Sequence, residues 1–280
     1  MAHTFKGGIH PDDKKSATSG KAIELLPAPA QVILPMSMHI GRPCEPLVKV
    51  GDHVYLGQKI ADSQAPVCAP IHASVSGTVV AVEPRPYSFG TSIMSVVIEN
   101  DFKDEKDPSI KPLDIDSMTS EEIVQAIREA GIVGLGGATF PTSVKLTPAK
   151  GKTIEKLIIN GAECEPLLRN DRYLMRNMAE QIVSTTDLMA KELNIPNAVI
   201  ALKGHYHEEC SALRRAVSDL QANVRVFELE SFYPAGDEQT IVYEVTGRVV
   251  PPAGLPSQVG AVVNNVATVY AVYQALSGIP

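Results

Sequence analysis

The sequence predicts a mixed α/β protein in which a β-rich half precedes an α/β half, and three observations support this class. Residues up to about 110 form short apolar runs separated by proline and glycine, with little helical periodicity. Residues 101–118 are charged and contain proline, as is typical of a connector. From Thr119 onward, helical patterns alternate with short apolar strands. We therefore expect a β module at 1–110, a linker at 111–118 and an α/β domain at 119–280.

The β-rich half contains two segments of a known kind. Residues 46–61 and 69–79 resemble the two halves of the barrel-sandwich hybrid fold of lipoyl and biotinyl carriers. Those carriers modify a lysine between the halves, and the sequence has no lysine between Ala61 and Ala69. We expect a folded module that is not a carrier and that either packs against a partner or is purely structural. The predicted strands are 31–34, 74–82 and 92–99.

The α/β half begins with a helix predicted at 119–130. Thr119 and Glu122 form a capping box, and Gly131 is placed to end the helix. Because open α/β sheets bind ligands beyond the carboxyl ends of their strands, segments that follow the later strands are candidate sites. The later predicted elements are strands at 156–159, 198–202 and 224–229, and helices at about 172–193 and 208–220.

The composition excludes several functional classes. The chain has 280 residues, of which 44% are hydrophobic and 20% charged, as in ordinary globular proteins. The formal net charge is -7 and no Lys/Arg cluster stands out, so we expect no nucleic-acid partner. The apolar stretch 260–276 is too short and too polar to span a bilayer, and residues 1–10 lack the apolar core of a signal peptide.

The cysteines do not predict a metal site. Cys44, Cys68, Cys164 and Cys210 have no C-x-x-C spacing, so neither a zinc knuckle nor an iron–sulfur cluster is indicated. Free thiols in a reducing compartment are the simpler interpretation. The run 204–210 carries metal-capable side chains, but a solvated helix start explains it better.

A glycine-rich segment has the residue types of a cofactor-binding loop. Gly134, Gly136 and Gly137 leave the backbone open, so peptide N–H groups can bind a phosphate or a ring. Phe140 offers a stacking face and Lys145 a positive charge. The spacing fits neither G-x-G-x-x-G nor the P-loop, which argues against an ordinary dinucleotide fold or an NTPase. A simple tight turn is the alternative.

A polar loop follows the strand predicted at 156–159. Asn160, Glu163 and Glu165 can point into a shared cleft, where the amide can bind a heterocycle edge. The alternative is a solvated acidic loop.

A second polar loop follows the strand predicted at 224–229 and opens a helix. Its residues are Tyr233, Gly236, Asp237 and Glu238. Free N–H groups at the helix start can bind a phosphate or carbonyl group. The alternative is that the two carboxylates only stabilise the helix dipole.

Four blocks of the chain form a longer pattern: Gly134-x-Gly136-Gly137-x-x-Phe140-Pro141-Thr142-x-x-Lys145, Asn160-x-x-Glu163-x-Glu165-Pro166, Gly236-Asp237-Glu238 and Asn264-Asn265-Val266-x-Thr268. In this order they resemble the FMN- and NADH-binding flavoprotein subunit of respiratory complex I. The opening Gly7-Gly8-Ile9-His10-Pro11 and the barrel-sandwich module narrow the resemblance to the C subunits of the Rnf electron transport complex, over essentially the whole chain.

The resemblance implies a Rossmann-like FMN-binding α/β domain that transfers hydride from NADH to FMN, with single electrons then passing to iron–sulfur centres. The protein orients the reactants and needs no acid or base for the hydride. Glu165 would position the nicotinamide. The implied FMN residues are Gly134, Gly136, Gly137, Lys145, Asn160, Asn264, Asn265 and Thr268; the NADH side has Phe140, Glu165, Tyr233 and Glu238; Glu163, Gly236 and Asp237 complete the cofactor site.

The chain departs from the complex I pattern in three places. Leu146, Thr147 and Pro148 replace aromatic residues that help to hold NADH, and Ala162 replaces an aspartate beside the flavin. The family continues into a β-grasp domain and a segment that holds two 4Fe-4S clusters, whereas this sequence stops at Pro280. We expect a fragment that cannot pass electrons onward by itself.

The expected function is a peripheral NADH-oxidising flavoprotein module of an ion-translocating NADH:ferredoxin complex. Its partners would be the other Rnf subunits, NAD(H) and, indirectly, ferredoxin, at the cytoplasmic face of the bacterial inner membrane. One alternative is the related cobalamin reductase. Another is a cofactor-free scaffold like the A subunit of the sodium-pumping quinone reductase, although that protein has a degenerate glycine loop.

Overall fold

A computed structural model describes residues 8–147 and 153–280, without the side chain of Phe89. Gly7 of the opening motif and Pro148 lie outside the described residues. The chain forms two compact units. We call Ile23–Lys145 with Gln274–Pro280 the β unit, and Met1–Ala22 with Leu146–Tyr273 the α/β unit.

The β unit contains two antiparallel sheets. One has the strand order β1-β7-β6-β3 and the other the order β2-β4-β5. Fully buried side chains of both sheets, among them Val54, Ile60, Val79 and Ile98, form one core. The strands are β1 (Gln31–Pro35), β2 (Glu45–Pro46), β3 (His53–Val54), β4 (Lys59–Asp62), β5 (Ile71–His72), β6 (Gly77–Pro86) and β7 (Ser92–Asn100).

The strands predicted in the β-rich half are present, with boundaries shifted by one to four residues. Those at 31–34 and 92–99 are each one residue longer. β6 begins at Gly77 rather than at residue 74. Gly77 has φ +154, and a Cβ there would lie 1.9 Å from the Glu99 carbonyl oxygen, so only glycine fits where β6 meets β7.

The helix predicted at 119–130 is α1 (Ser120–Glu129), and its capping box is present. The Glu122 carboxylate accepts a hydrogen bond from Thr119 N at 2.8 Å, and Thr119 Oγ1 accepts one from Glu122 N at 3.3 Å. Gly131 follows with φ +70, and a Cβ there would lie 2.4 Å from the Pro70 carbonyl oxygen. Glycine at this position therefore allows α1 to end close against the β strands.

The two compact units are divided differently from the domains expected at 1–110 and 119–280, and those domain bounds stay a prediction. α1 belongs to the β unit because Arg128 donates to Asp62 at 2.8 Å and Glu129 pairs with Lys59. Of the described residues near the amino terminus, 8–22 belong to the α/β unit.

The α/β unit has a parallel sheet of four strands in the order β10-β9-β8-β11. Buried aliphatic side chains such as Ile158, Val199, Ile241 and Val263 pack between the sheet and α6. The elements from residue 142 onward are α2 (Thr142–Leu146), β8 (Lys156–Asn160), α3 (Asn170–Asn177), α4 (Ala179–Glu192), β9 (Asn197–Lys203), α5 (His207–Asp219), β10 (Val224–Leu229), α6 (Glu238–Thr246), β11 (Ala261–Asn265) and α7 (Val266–Leu276).

The predicted alternation of helices and strands is confirmed, with two differences. The helix expected at 172–193 is divided into α3 and α4 because Met178 between them has φ -123 and ψ 33, outside the helical region. β11 and α7 were not predicted, since the strand runs directly into the helix and the apolar stretch shows no break. Within the described ranges, no helix is both long enough and apolar enough to cross a bilayer.

Candidate functional site

The carboxyl ends of β8 and β11 lie side by side in the parallel sheet. β8 ends at Asn160 and β11 at Asn265, and the register pairs these two residues directly. Asn264 pairs with Ile159 one step earlier. We call this end of the sheet, with the loops that follow β8 and β10, the carboxyl edge. Ligands of open α/β sheets bind at such an edge.

The two polar loops predicted from the sequence meet at the carboxyl edge. Asn160 Nδ2 donates to the Gly236 carbonyl oxygen at 2.8 Å, and Gly236 N donates to Cys164 Sγ at 3.1 Å. A Cβ on Gly236 would lie 3.1 Å from both Ala162 Cβ and Cys164 Sγ. The contact therefore needs small residues on both loops. Because its amide oxygen also accepts from Ala162 N at 3.0 Å, Asn160 ties the loops together.

Glu163 is turned into the protein. Its side chain is 3% exposed, and one carboxylate oxygen lies 3.3 Å from Lys15 Nζ. The other oxygen accepts from Asp171 N at 2.7 Å. Burial raises the pKa of the Glu163 carboxyl group, an effect that the Lys15 charge opposes. Glu163 thus holds the loop in place, and its carboxylate is engaged by the protein itself.

Lys15 is a buried cation that sequence reasoning missed. Besides Glu163, its ammonium group donates to the carbonyl oxygens of Glu165, at 3.0 Å, and Leu168. Leu167 N donates to the Asp13 carbonyl oxygen at 2.8 Å. The amino-terminal segment therefore fixes the loop after β8. The pair Lys14-Lys15 gives no signal for this role, because lysines near a chain end are usually solvated.

Asp171 links α3 to the end of β11 and was also missed. Asn265 Nδ2 donates to its carboxylate at 2.7 Å, and Asn265 Oδ1 accepts from Ala267 N at 2.7 Å. Burial raises the pKa of the Asp171 carboxyl group. Both polar atoms of the Asn265 amide are therefore engaged inside the unit.

Asn264 and Thr268 differ in what they offer to a ligand. Asn264 is 4% exposed, and its Nδ2 has no hydrogen-bond partner among the residues that the structure describes. Thr268 is fully buried in α7. Asn264 is therefore a donor in need of an acceptor, whereas Thr268 is part of the packed interior.

Glu165, Tyr233 and Asp237 are the exposed members of the predicted set at this edge. Tyr233 pairs through its backbone with Ile9, with hydrogen bonds of 3.0 and 2.8 Å, which places part of the opening motif beside the second loop. Asp237 caps α6, since its carboxylate accepts from Gln239 N and Thr240 N. Glu238 is the first residue of α6 and is half-buried.

The glycine-rich loop lies in the β unit. Gly134 N donates to the Phe140 carbonyl oxygen at 2.8 Å, which closes the loop. Gly136 has φ +76, and no atom lies within 4 Å of a Cβ built on Gly137. The backbone is therefore open between the ends of the loop. Thr142 Oγ1, just beyond it in α2, is buried without a partner in the described part of the chain.

Phe140 is half-buried in the loop, and Lys145 lies in α2 and is also half-buried. Of the residues that replace the aromatic run of complex I, Leu146 is buried and Thr147 is exposed.

A cleft at the opposite end of the parallel sheet has a volume of about 620 Å³. It includes Glu155 and Gly260, which precede β8 and β11, and Arg248, which pairs with Glu155 at 2.6 Å. Because ligands of such sheets bind at the carboxyl ends of the strands, we assign this cleft no part in the site.

Two family models match the chain. Residues 127–274, more than half of the chain, match the Nuo51 FMN-binding domain, and residues 3–103 match the RnfC barrel sandwich hybrid domain. The fold and the matches thus define a protein with a Nuo51-type FMN-binding domain and a barrel-sandwich hybrid module, which confirms the predicted fold class.

Relatives narrow the class further. The chain is 43% identical to the C subunit of the Na(+)-translocating ferredoxin:NAD(+) oxidoreductase complex of Acetobacterium woodii, over 99% of this chain and 63% of the relative. It is 41% identical to the C subunit of the proton-translocating complex of Clostridium ljungdahlii, over 100% and 61%. It is 38% identical to the C subunit of the ion-translocating oxidoreductase complex of Rhodobacter capsulatus, over 99% and 54%. The chain belongs to the family of the Nuo51 FMN-binding domain, and its close homologues over its whole length are RnfC subunits, as the resemblance predicted; it spans roughly three fifths of the length of these relatives.

Solved structures of an NAD+-reducing [NiFe]-hydrogenase are also similar. The H2-reduced form gives a TM-score of 0.48 with 25% identity, over 58% of this chain and 34% of the hydrogenase chain. The air-oxidized form gives a TM-score of 0.46 with 27% identity, over 58% of this chain and 33% of the hydrogenase chain.

Proposed function

We propose that the chain binds FMN and NADH and is the NADH-oxidising flavoprotein module of an ion-translocating ferredoxin:NAD+ oxidoreductase complex. The observation that carries the proposal is the match of residues 127–274 to an FMN-binding family. The names of the relatives support the assignment of the chain to an ion-translocating ferredoxin:NAD+ oxidoreductase complex.

The residues of the carboxyl edge fit a flavin. A buried amide donor without an acceptor costs about 1–3 kcal/mol, and a bound acceptor would recover that energy. The Asn264 side chain is such a donor within the described residues. The carbonyl oxygens and ring nitrogens of an isoalloxazine are suitable acceptors, so we propose that Asn264 contacts the flavin ring.

The groups that the glycine-rich loop and the start of α2 offer are suited to a phosphorylated ligand. Gly136 and Gly137 expose peptide groups, and the buried Thr142 hydroxyl group can donate to a phosphate oxygen. We propose that this loop, with Gly134, Phe140 and Lys145, contributes to FMN binding, as the family resemblance implies.

The remaining predicted residues form two groups, those that are already hydrogen-bonded or buried and those that are exposed. Six of them are hydrogen-bonded or buried within the α/β unit: Asn160, Glu163, Gly236, Asp237, Asn265 and Thr268. We propose that these six residues shape the site without binding the ligand through their side chains. Glu165 and Tyr233 are exposed. We propose that these two residues, with Glu238, position the nicotinamide, and that Glu165 does so through its carboxylate.

FMN supplies the ability to accept a hydride and release single electrons, and the chain supplies orientation. Its partners would be the other Rnf subunits and, indirectly, ferredoxin, at the cytoplasmic face of the membrane. We propose that 4Fe-4S clusters of the complex receive the electrons.

Anaerobic titration with FMN tests the proposal. We expect one FMN to bind per chain with a yellow absorption band, which NADH then bleaches. A colourless protein that binds no added FMN would favour the scaffold alternative. Asn264→Ala should weaken FMN binding by about tenfold or more, the loss of one buried hydrogen bond. Asn177→Ala, at an exposed amide that ends α3, is the control and should bind FMN normally.

A further inference from the structure

Three side chains of the β unit converge although up to 29 positions separate them in the sequence. His39 and Cys44 lie between β1 and β2, and Cys68 lies in the connection from β4 to β5. The two sulfur atoms are 3.5 Å apart, and His39 Nε2 is 3.7 Å from each. The fold thus builds a nearly equilateral triangle of one nitrogen and two sulfur atoms.

The triangle has the dimensions of a tetrahedral zinc site. With Zn–S distances of about 2.3 Å and Zn–N distances of about 2.05 Å, tetrahedral coordination separates two thiolates by about 3.8 Å and a thiolate from an imidazole nitrogen by about 3.6 Å. The observed edges of 3.5 and 3.7 Å agree with these values to within about 0.3 Å. Little movement is needed for all three atoms to reach one ion.

The His39 ring is held in a suitable orientation. Nδ1 lies 3.1 Å from the Ile40 carbonyl oxygen, so the tautomer with its hydrogen on Nδ1 satisfies that acceptor. Nε2 then carries the one lone pair of the ring on the side of the sulfur atoms; it accepts from Ala69 N at 3.2 Å, a hydrogen bond that a bound ion would replace. Metal-binding histidines are commonly fixed by such a hydrogen bond from the other ring nitrogen.

A backbone carbonyl oxygen beside the triangle can serve as a fourth ligand. The Ala69 carbonyl oxygen lies 3.2 Å from Cys44 Sγ and 3.1 Å from His39 Nε2. The sulfur atoms are shielded, since Cys44 is 4% and Cys68 2% exposed, whereas His39 is only half-buried. An ion can therefore enter past the histidine and then be enclosed.

We propose that His39, Cys44 and Cys68 bind one zinc ion, with the Ala69 carbonyl oxygen or a water molecule as the fourth ligand. Two thiolates and an imidazole are ligands that zinc prefers. The donor atoms of the three side chains all lie within 4.8 Å of one another. The ion would join the turn before β2 to the loop before β5, in a sheet whose strands have only two or four residues. The site is structural and does not depend on FMN binding.

The test uses the full chain, purified under reducing conditions. Elemental analysis should find one zinc per chain. After the zinc is removed, added Co2+ should give thiolate-to-metal charge-transfer bands and the visible bands of tetrahedral cobalt. Chelation should lower the Tm of the wild-type protein.

Point variants show whether these residues are the ligands. Cys44→Ser, Cys68→Ser and His39→Gln should each weaken zinc binding by at least about 100-fold. The controls Cys210→Ala and His53→Gln change a buried cysteine and a half-exposed histidine outside the cluster, and should keep the zinc.

Two results would overturn the proposal. The first is a folded wild-type protein that, once reduced, contains no zinc and gives no cobalt charge-transfer band, including one whose Cys44 and Cys68 form a disulfide before reduction. The second is zinc that remains bound at full stoichiometry in the folded Cys44→Ser and Cys68→Ser proteins. Since the cobalt spectrum is read on the wild-type chain, it decides the question even if a variant does not fold.

Discussion

At the scale of single residues, the ion pair between Lys15 and Glu163 holds the loop after β8 in place. We predict that Lys15→Met destabilises the protein by about 3–5 kcal/mol, because it leaves a buried carboxylate without its counter-charge. Lys14→Met is the matched control, since Lys14 is exposed. Denaturant unfolding of both variants measures the difference, and equal stability of the two would contradict the assignment.

The same variant should show a characteristic pH dependence. Burial already raises the pKa of Glu163, and loss of the Lys15 charge raises it further. A carboxyl group with a raised pKa in the folded state favours the protein at low pH, and that stability is lost as the pH rises through the raised pKa. The deficit of Lys15→Met relative to wild type should therefore be larger at about pH 8 than at about pH 5. A deficit that is independent of pH would indicate lost packing alone.

Glu165 allows a prediction about the nicotinamide side. Its side chain is exposed at the carboxyl edge, so Glu165→Gln should leave FMN binding nearly unchanged. Loss of the charged contact should slow flavin bleaching by NADH by about tenfold or more in stopped-flow measurements. Glu180→Gln, at an exposed carboxylate in the first turn of α4, serves as the control. Unchanged NADH kinetics would remove Glu165 from the site.

Sequence reasoning identified polar residues at the carboxyl edge but could not say how their side chains are used. Glu163 was predicted to bind the cofactor, yet it pairs with a lysine 148 positions away. No local pattern reveals such a partner, because spacing predicts contacts only within one element or between paired strands.

At the scale of elements, the glycine-rich loop depends on its backbone conformation. Gly136 and Gly90 have nearly the same φ, +76 and +74, and both belong to the β unit. We predict that valine at either position costs about 1–2 kcal/mol of backbone strain. Only Gly136→Val should also abolish FMN binding, because its branched side chain fills the space that the ligand needs. Normal FMN titration by the folded Gly136→Val variant would refute the loop assignment.

Local sequence signals predicted a helix or strand well where capping or turn residues mark its ends. The capping box at Thr119 and Glu122 correctly predicted the N-cap of α1. β6 was placed three residues too early, because the restriction at Gly77 comes from the neighbouring strand. β11 was missed because the strand and α7 share one apolar stretch.

At the scale of the whole molecule, the α/β unit includes the amino-terminal segment. We predict that deletion of residues 1–22 lowers the Tm of the α/β unit by about 6–20 °C, since it removes Lys15 and costs about 3–5 kcal/mol in a unit of this size. A synthetic peptide of residues 1–22 added in trans should restore much of the loss. An unchanged Tm would show that the segment is dispensable.

The composition and the ordered motifs correctly predicted the fold class and the family. The extent of the compact units could not be predicted in the same way. A composition change at 101–118 suggests a boundary, but membership of a unit is decided by long-range contacts such as those of Lys15 and Arg128.

The long separation between Lys15 and Glu163 has a consequence for how the chain matures. During synthesis, Lys15 leaves the ribosome well before its partner, which lies 148 positions later. Closing so long a loop is entropically costly and slow. Nascent chains should therefore keep the amino terminus accessible to protease until the region after β8 has emerged, and become resistant only then.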